Sequence, residues 1–201
     1  RDPRLEATFY NFPHKKSQSL IYADKFISRE GASFWNNVAQ RPAQYGSNLN
    51  ENDAPVIRYA EVLLNWIEAK AELAQSFGGS AVTQADIDKS INAIRNRPLD
   101  ATAIANGVKK TAPMNLATLI DDPDRDADVP ALIWEIRRER RMEFVYEHTR
   151  LLDIKRWKKI EYMDNLKYPD TMYGPWVNFA KDVPDFLSAA YKGNLIVRKA
   201  D

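Results

Sequence analysis

Cysteine is absent from this 201-residue chain, which excludes a disulfide framework, a Cys-ligated zinc site and a thiol nucleophile. Histidine is nearly absent: His14 and His148 stand far apart in sequence, with no Asp or Ser neighbour to complete a triad. The seven glycines fall into no phosphate loop, dinucleotide fingerprint or nucleophile elbow, and no His-Glu-x-x-His run occurs. No stretch nears the roughly 20 consecutive apolar residues that span a bilayer. A net charge of +1 leaves no field strong enough to hold nucleic acid or an anionic membrane surface. With no recognisable reacting group, the residues point to a binding protein and not to an enzyme.

What is present is ordinary for a folded protein: 44% hydrophobic and 28% charged residues, in a length suited to one domain with a sizeable core. The chain opens Arg1-Asp2-Pro3-Arg4-Leu5 with neither an initiator Met nor a signal peptide, as expected of a processed chain or a piece of a longer protein. Three regions follow. Residues 1–53 mix Pro, Asn, Ser and Gly with scattered aromatics and are expected to be loop with short strands, Leu5-Glu6-Ala7-Thr8-Phe9-Tyr10 alternating between two faces. Residues 54–162 carry helical periods, and residues 163–201 return to an aromatic, proline-punctuated loop ending near an extended piece, Asn194-Leu195-Ile196-Val197-Arg198.

The first helix is predicted from Pro55 to Phe77, closed by Gly78-Gly79. Ile57, Ala60, Leu64, Ile67 and Ala71 form one stripe, and Tyr59, Leu63, Trp66, Leu73 and Phe77 a second, so this helix is expected to lie between two neighbours. Thr83-Gln84-Ala85-Asp86 has capping-box spacing, and Ile87, Ile91 and Ile94 continue one stripe that ends by Arg97 because of Pro98. The two helices make a hairpin of tetratricopeptide size. A helical turn is expected around residues 115–120. A second hairpin joins helices over 130–147 and 149–162, with the break near His148, a residue type that more readily takes positive φ.

Arg and Glu are woven into these helices. As ligand groups, Arg58, Arg95, Arg137, Arg140, Arg150 and Arg156 would line an anionic groove. As structure, Arg58, Arg140, Arg150 and Arg156 pair with Glu61, Glu68, Glu139, Glu143 and Asp153. One-turn spacings such as Arg58 to Glu61 and Glu139 to Glu143 favour the structural reading. The basic run 137–159 is interleaved with acids in the same way, so pairing explains it better than nucleic acid does.

Asp124, Asp126, Asp128 and Glu135 occupy positions 1, 3, 5 and 12 of a calcium loop, but Val129 stands where the turn needs glycine; helix N-terminal acidity explains the same residues, and no cofactor is expected. The aromatics outside amphipathic helices differ. Phe34, Trp35, Tyr45, Tyr173 and Trp176 present flat rings among polar neighbours, which suits stacking on sugar rings as well as packing loops onto a scaffold.

Four segments then carry a resemblance: Pro55-Val56-Ile57-Arg58-Tyr59-Ala60-Glu61-Val62-Leu63-Leu64, Ile91-Asn92-Ala93-Ile94-Arg95-Asn96-Arg97, Ile136-Arg137-Arg138-Glu139-Arg140-Arg141-Met142-Glu143-Phe144 and Leu152-Asp153-Ile154-Lys155-Arg156-Trp157. In this order the chain resembles the SusD/RagB family of Bacteroidetes, in its C-terminal part, with Asp2-Pro3-Arg4-Leu5 similar to the stretch leading into that part. The resemblance implies a mainly α fold of tetratricopeptide-like hairpins with long irregular loops and minor β structure. It implies a non-enzymatic, surface-exposed outer-membrane lipoprotein that binds glycans, or peptides in the RagB branch, and delivers them to a SusC-type TonB-dependent transporter. The lipid anchor and the family's N-terminal half would lie outside this chain. Where the family commonly has Gly after the Glu closing its third helix, this chain has Glu147-His148. A tetratricopeptide-type protein-interaction scaffold and a glycan-active enzyme domain are the alternatives from other classes.

Overall fold

A run of Ala, Leu, Glu and Lys free of glycine and proline makes residues 59–76 the longest helix of the chain. The computed structural model describes residues 2–10, 20–34, 38–46, 49 and 51–172. Among them are eight α-helices: α1 (Arg4–Thr8), α2 (Arg29–Ser33), α3 (Tyr59–Ser76), α4 (Gln84–Lys89), α5 (Ile91–Arg95), α6 (Ala101–Ala105), α7 (Ala131–Glu143) and α8 (Thr149–Arg156). Short 3-10 turns lie between and after them. The fold is mainly α, and β structure among the described residues is limited to an isolated bridge between Phe9 and Ala23. The extended piece expected at 194–198 lies outside the described residues.

Helix α3 starts four residues later than its sequence suggests. Arg58 is extended, with φ −115° and ψ 151°, and its side chain is held elsewhere, so Ile57 precedes the helix and stays exposed. At the other end Gly78 takes φ 68°, and the N–H groups of Phe77 and Gly79 both reach Leu73 O at 3.0 Å. Ala60, Leu64, Ile67 and Ala71 are buried against Ile87, Ile91 and Ile94, and against Ile133 and Ile136 of α7. Each fully buried Leu or Ile contributes about 1.5–3 kcal/mol. Most of the second stripe is not covered: Tyr59 and Phe77 are 75% and 79% exposed, and Trp66 and Leu73 are also exposed. The helix lies between α4–α5 and α7 as expected, but through its first stripe and Leu63, and the rest of the second stripe faces solvent.

The capping box forms, with Thr83 Oγ1 accepting from Asp86 N and Asp86 Oδ2 accepting from Thr83 N at 2.8 Å. The helix expected to run on to Arg97 is broken at Ser90, where φ −118° and ψ −88° separate α4 from α5. Ser90 Oγ donates to Asp86 O at 2.7 Å, a back-bond that competes with the helical ladder. Two amides then fix the following loop: Asn92 Oδ1 accepts from Met114 N at 2.7 Å, and Gln84 Oε1 from Leu116 N at 2.9 Å. The turn expected near 115–120 is the 3-10 segment Leu116–Thr118.

Three local expectations change. Residues 4–8 form helix α1 and not a strand, because Asp2 Oδ1 caps Arg4 N at 2.9 Å and the Arg4 side chain is drawn to Glu139. Helix α7 ends at Glu143, and the left-handed residue of the turn is Tyr146, φ 62°, not His148. Tyr146 meets Phe9 edge to face at 5.5 Å, a contact of about 0.5–1.5 kcal/mol that offsets much of the left-handed cost. Helix α8 stops at Arg156 because Lys158 is left-handed, φ 58°, with Lys159 N bonded to Ile154 O at 2.9 Å and Lys158 N to Lys155 O at 3.1 Å. A 3-10 turn, Ile160–Met163, completes the stretch expected to be helix.

Candidate functional site

Two carboxylates of α7 gather four cations from three distant segments. Glu139 accepts from Arg4 Nη1 at 2.8 Å and from Arg95 Nη2 at 2.7 Å. Glu143 accepts from Arg58 Nη1 at 2.8 Å and from Arg97 Nη2 at 2.5 Å. Both glutamates are buried. Burial alone would raise the Glu143 carboxyl, but hydrogen bonds and charge from Arg97 and Arg58 together hold it below the ordinary glutamate value. Arg58 also reaches Glu147 at 2.7 Å, and Lys25 joins the same carboxylate at 2.6 Å while donating to Glu143 O and Val145 O. A 350 Å³ cavity opens beside this cluster, but its wall cations Arg4, Arg58, Arg95 and Arg97 are already bonded to glutamate.

A second set ties α3 to α7 and α8. Arg140 donates to Asp153 at 2.7 Å and to Asn65 at 2.6 Å, with Glu61 3.9 Å away. Glu68 accepts from both terminal nitrogens of Arg156, at 2.8 and 2.5 Å, and from Trp157 Nε1 at 2.6 Å. Arg58 and Glu61, one turn apart in sequence, do not pair: Arg58 sits at the extended N-cap and turns toward α7. Arg150 also departs from its expected pairing. Among the described residues it forms no ion pair, and its guanidinium lies 5.6 Å from the Trp157 ring centre.

That departure opens onto a groove of 910 Å³ between α7, α8, the 122–126 loop and the 3-10 turns after α8. Arg137, Arg141, Arg150 and Trp157 line one wall, and Tyr162 and Tyr168 meet edge to face at 5.4 Å on another. Arg137 lies 4.8 Å over Trp157 and donates to Glu72 at 3.2 Å, but its buried Nε has no acceptor among the described residues. Burial, and then the neighbouring Arg141 charge, push Arg150 below the usual guanidinium range. The spacing of Arg150, Ile154 and Trp157 is i, i+4, i+7, and that of Trp134, Arg137, Arg138 and Arg141 is i, i+3, i+4, i+7, the sequence signals that each set shares a helix face.

The acidic loop on the far wall is largely neutralised. Lys159 reaches Asp126 at 2.8 Å and Asp128 at 2.7 Å, the Tyr162 hydroxyl donates to Asp126, and Trp134 Nε1 donates to Asp122 at 3.0 Å. Asp124 is exposed, and Glu135 faces Arg138. Lys159 thus supplies the positive charge that the calcium pattern would seek, and among the described residues no group of three metal-ligating side chains is assembled.

Of the loop aromatics, Phe34 and Tyr45 come together. Their rings stack at 5.9 Å and 23°, both half-buried. Tyr45 Oη donates to Glu30 at 2.5 Å, and Gly31 permits the approach, since a Cβ there would lie 3.1 Å from Tyr45 Cδ1. Trp35, Tyr173 and Trp176 lie outside the described residues. Lys25 and Arg29, the latter paired with Asp24 at 3.1 Å and bonded to Phe9 O at 3.1 Å, anchor the segment that presents this aromatic pair.

No curated protein and no solved structure matches the chain. The SusD family matches it over residues 1–186, which takes in all eight helices and the motifs that build both ion-pair clusters. On a match of that extent, the chain belongs to the SusD family.

Proposed function

We infer that this protein binds glycan nutrients at the bacterial outer-membrane surface and passes them to a SusC-type TonB-dependent transporter, without cleaving them. Membership of the SusD family carries the reading, since binding and hand-over are the family's role. The stacked Phe34 and Tyr45 support it: two flat rings on an anchored loop, with Glu30 beside them, suit the apolar face and hydroxyls of a sugar. Trp35, Tyr173 and Trp176 are proposed from sequence as further ligand-contacting rings. Attachment through an N-terminal lipid anchor is part of the same family reading, and among the described residues no helix is long and apolar enough to cross a membrane.

The test is calorimetric titration with a panel of neutral oligosaccharides, with Tyr45→Ala as the matched variant. Saturable binding that weakens about tenfold in the variant supports the proposal, a loss near 1.4 kcal/mol. No binding to any saccharide at millimolar concentration defeats it, and released hydrolysis products would overturn the non-enzymatic part. A protein-interaction scaffold is a second reading, favoured by the exposed apolar row Tyr59, Trp66, Leu73 and Phe77 on α3.

A further inference from the structure

Among the described residues, most guanidinium groups are bonded to carboxylates. Arg4, Arg58, Arg95, Arg97, Arg140 and Arg156 each close a bond of 2.5–2.8 Å to Asp or Glu. Arg150 breaks the pattern although it is half-buried, and so does the adjacent Arg141, which has no acceptor among the described residues. The buried Nε of Arg137 is a third unused donor on the same wall. Among the described residues Arg150 gives up hydration with the Trp157 ring and the Asp153 charge in return, but no carboxylate bonded to it. A guanidinium so placed is suited to an anion that arrives with a ligand, because its planar fork meets two oxygens at once.

We propose that Arg141 and Arg150, over Trp157, form a subsite for the carboxylate or sulfate of an acidic sugar residue. The proposal rests on the glycan-binding reading and deepens it. The groove fits such a ligand in size, 910 Å³ against about 300–1,000 Å³ for small-molecule sites. It fits in surface as well: Tyr162 and Tyr168, both half-buried, offer aromatic area for a ring face, beside the cations that would take its acid group, while Trp157 is buried beneath those cations. The opposite wall does not repel an anion as its three aspartates suggest. Asp126 is bonded by Lys159 and Tyr162, and Asp122 by Trp134, so Asp124, exposed at the rim, is the one left unbonded by a side chain among the described residues. Burial of Arg150, with the Arg141 charge nearby, disfavours its charged form and agrees with this arrangement.

The test titrates the protein with an oligogalacturonate, its methyl ester and a sulfated galactan oligosaccharide, at low and high salt. The acid is expected to bind at least roughly tenfold more tightly than the ester, with an affinity that falls as salt rises. Arg150→Gln and Arg141→Gln should each abolish that advantage, weakening the acid at least roughly tenfold and the ester by less. Arg141 is exposed, so its variant carries the test should Arg150→Gln fail to fold. Preference for the sulfated ligand, lost in the same variants, assigns sulfate as the group. Equal binding of acid and ester, or an advantage that survives both substitutions, overturns the subsite and leaves glycan binding standing. Failure of all three saccharides overturns the glycan reading, and the subsite with it.

Discussion

Trp157 donates its indole N–H to Glu68 Oε1 at 2.6 Å, joining α8 to α3 across 89 residues of sequence. Both partners are buried, and Arg156 closes the other side of the same carboxylate. One glutamate therefore holds the last residue of α8 and its C-cap Trp157 in place, and with them the wall of the groove. Trp157→Phe keeps most of the ring and removes the donor. Loss of a hydrogen bond to a charged group is expected to cost about 1.5–3 kcal/mol in urea unfolding, and a loss below ~0.5 kcal/mol would show that Arg156 alone satisfies Glu68.

Glu143 is the hub with the most to lose. Glu143→Gln leaves Arg58 and Arg97 facing a neutral amide inside the protein, where removing one partner of a buried pair costs about 3–5 kcal/mol. Arg97 is partly exposed, so the lower end of that range is expected. A variant within ~1 kcal/mol of the parent in denaturant unfolding would mean that the cluster contributes little net stability.

The same glutamate sets an acid limb. Its folded carboxyl lies below the ordinary value of 4.5, so the unfolded state takes up the proton first. The stability it provides is complete above about pH 4.5 and is lost as pH falls through the lower folded value. Asp24 acts in the opposite sense, because burial raises its carboxyl despite Arg29. Urea midpoints measured on lowering pH should fall for the parent and fall less steeply for Glu143→Gln. Parallel curves would assign the acid limb to other carboxylates.

Thr83 makes a simpler case. Thr83→Ala removes the acceptor for Asp86 N and the hydroxyl that donates to Asp86, leaving the Thr83 N–H bond in place. About 1 kcal/mol of destabilisation is expected by thermal or urea unfolding, the usual value for an N-cap. Asp86 also receives Lys70 of α3 at 2.6 Å, so Asp86→Ala should cost more than Thr83→Ala. The reverse order would count against the coupling of cap and ion pair.

Lys158 carries backbone strain with no side-chain purpose evident in its surroundings. It is exposed and left-handed at φ 58°, where a non-glycine residue costs about 1–2 kcal/mol. Lys158→Gly relieves that cost against an entropic penalty of about 0.5–1 kcal/mol, so the variant is expected to be neutral to slightly stabilising. Clear destabilisation, checked by thermal unfolding against Lys158→Ala, would give the side chain a role.

Much of the helical region is legible from local pattern. The run without glycine or proline, the Gly78-Gly79 stop and the Thr83 to Asp86 box each depend on neighbours within a turn, so they read directly from the chain. The errors fall where distant groups intervene. Asp2 and the pull of Glu139 on Arg4 turn an alternating stretch into α1, and Phe9 lets Tyr146 take the position expected of His148. Ser90 splits a continuous isoleucine stripe by bonding backward, although all three isoleucines stay buried. The groove was the least visible feature, because its walls come from α7, α8 and two loops: Trp134, Arg137, Arg138 and Arg141 share one local period and Arg150, Ile154 and Trp157 another, but nothing local brings the two faces together.

By itself the sequence determined that the fold is helical, that the helices carry Arg and Glu on their packed faces, and that their order marks the SusD family. Only the tertiary structure decided which charge meets which. Helical spacing tells which residues share a face, but a guanidinium on a long flexible stem chooses its carboxylate by reach and burial, so Arg58 passes over Glu61 for Glu143, 85 residues away. The same choice left Arg150 without a carboxylate among the described residues, on the wall of a groove, and no periodicity along the chain could have announced it.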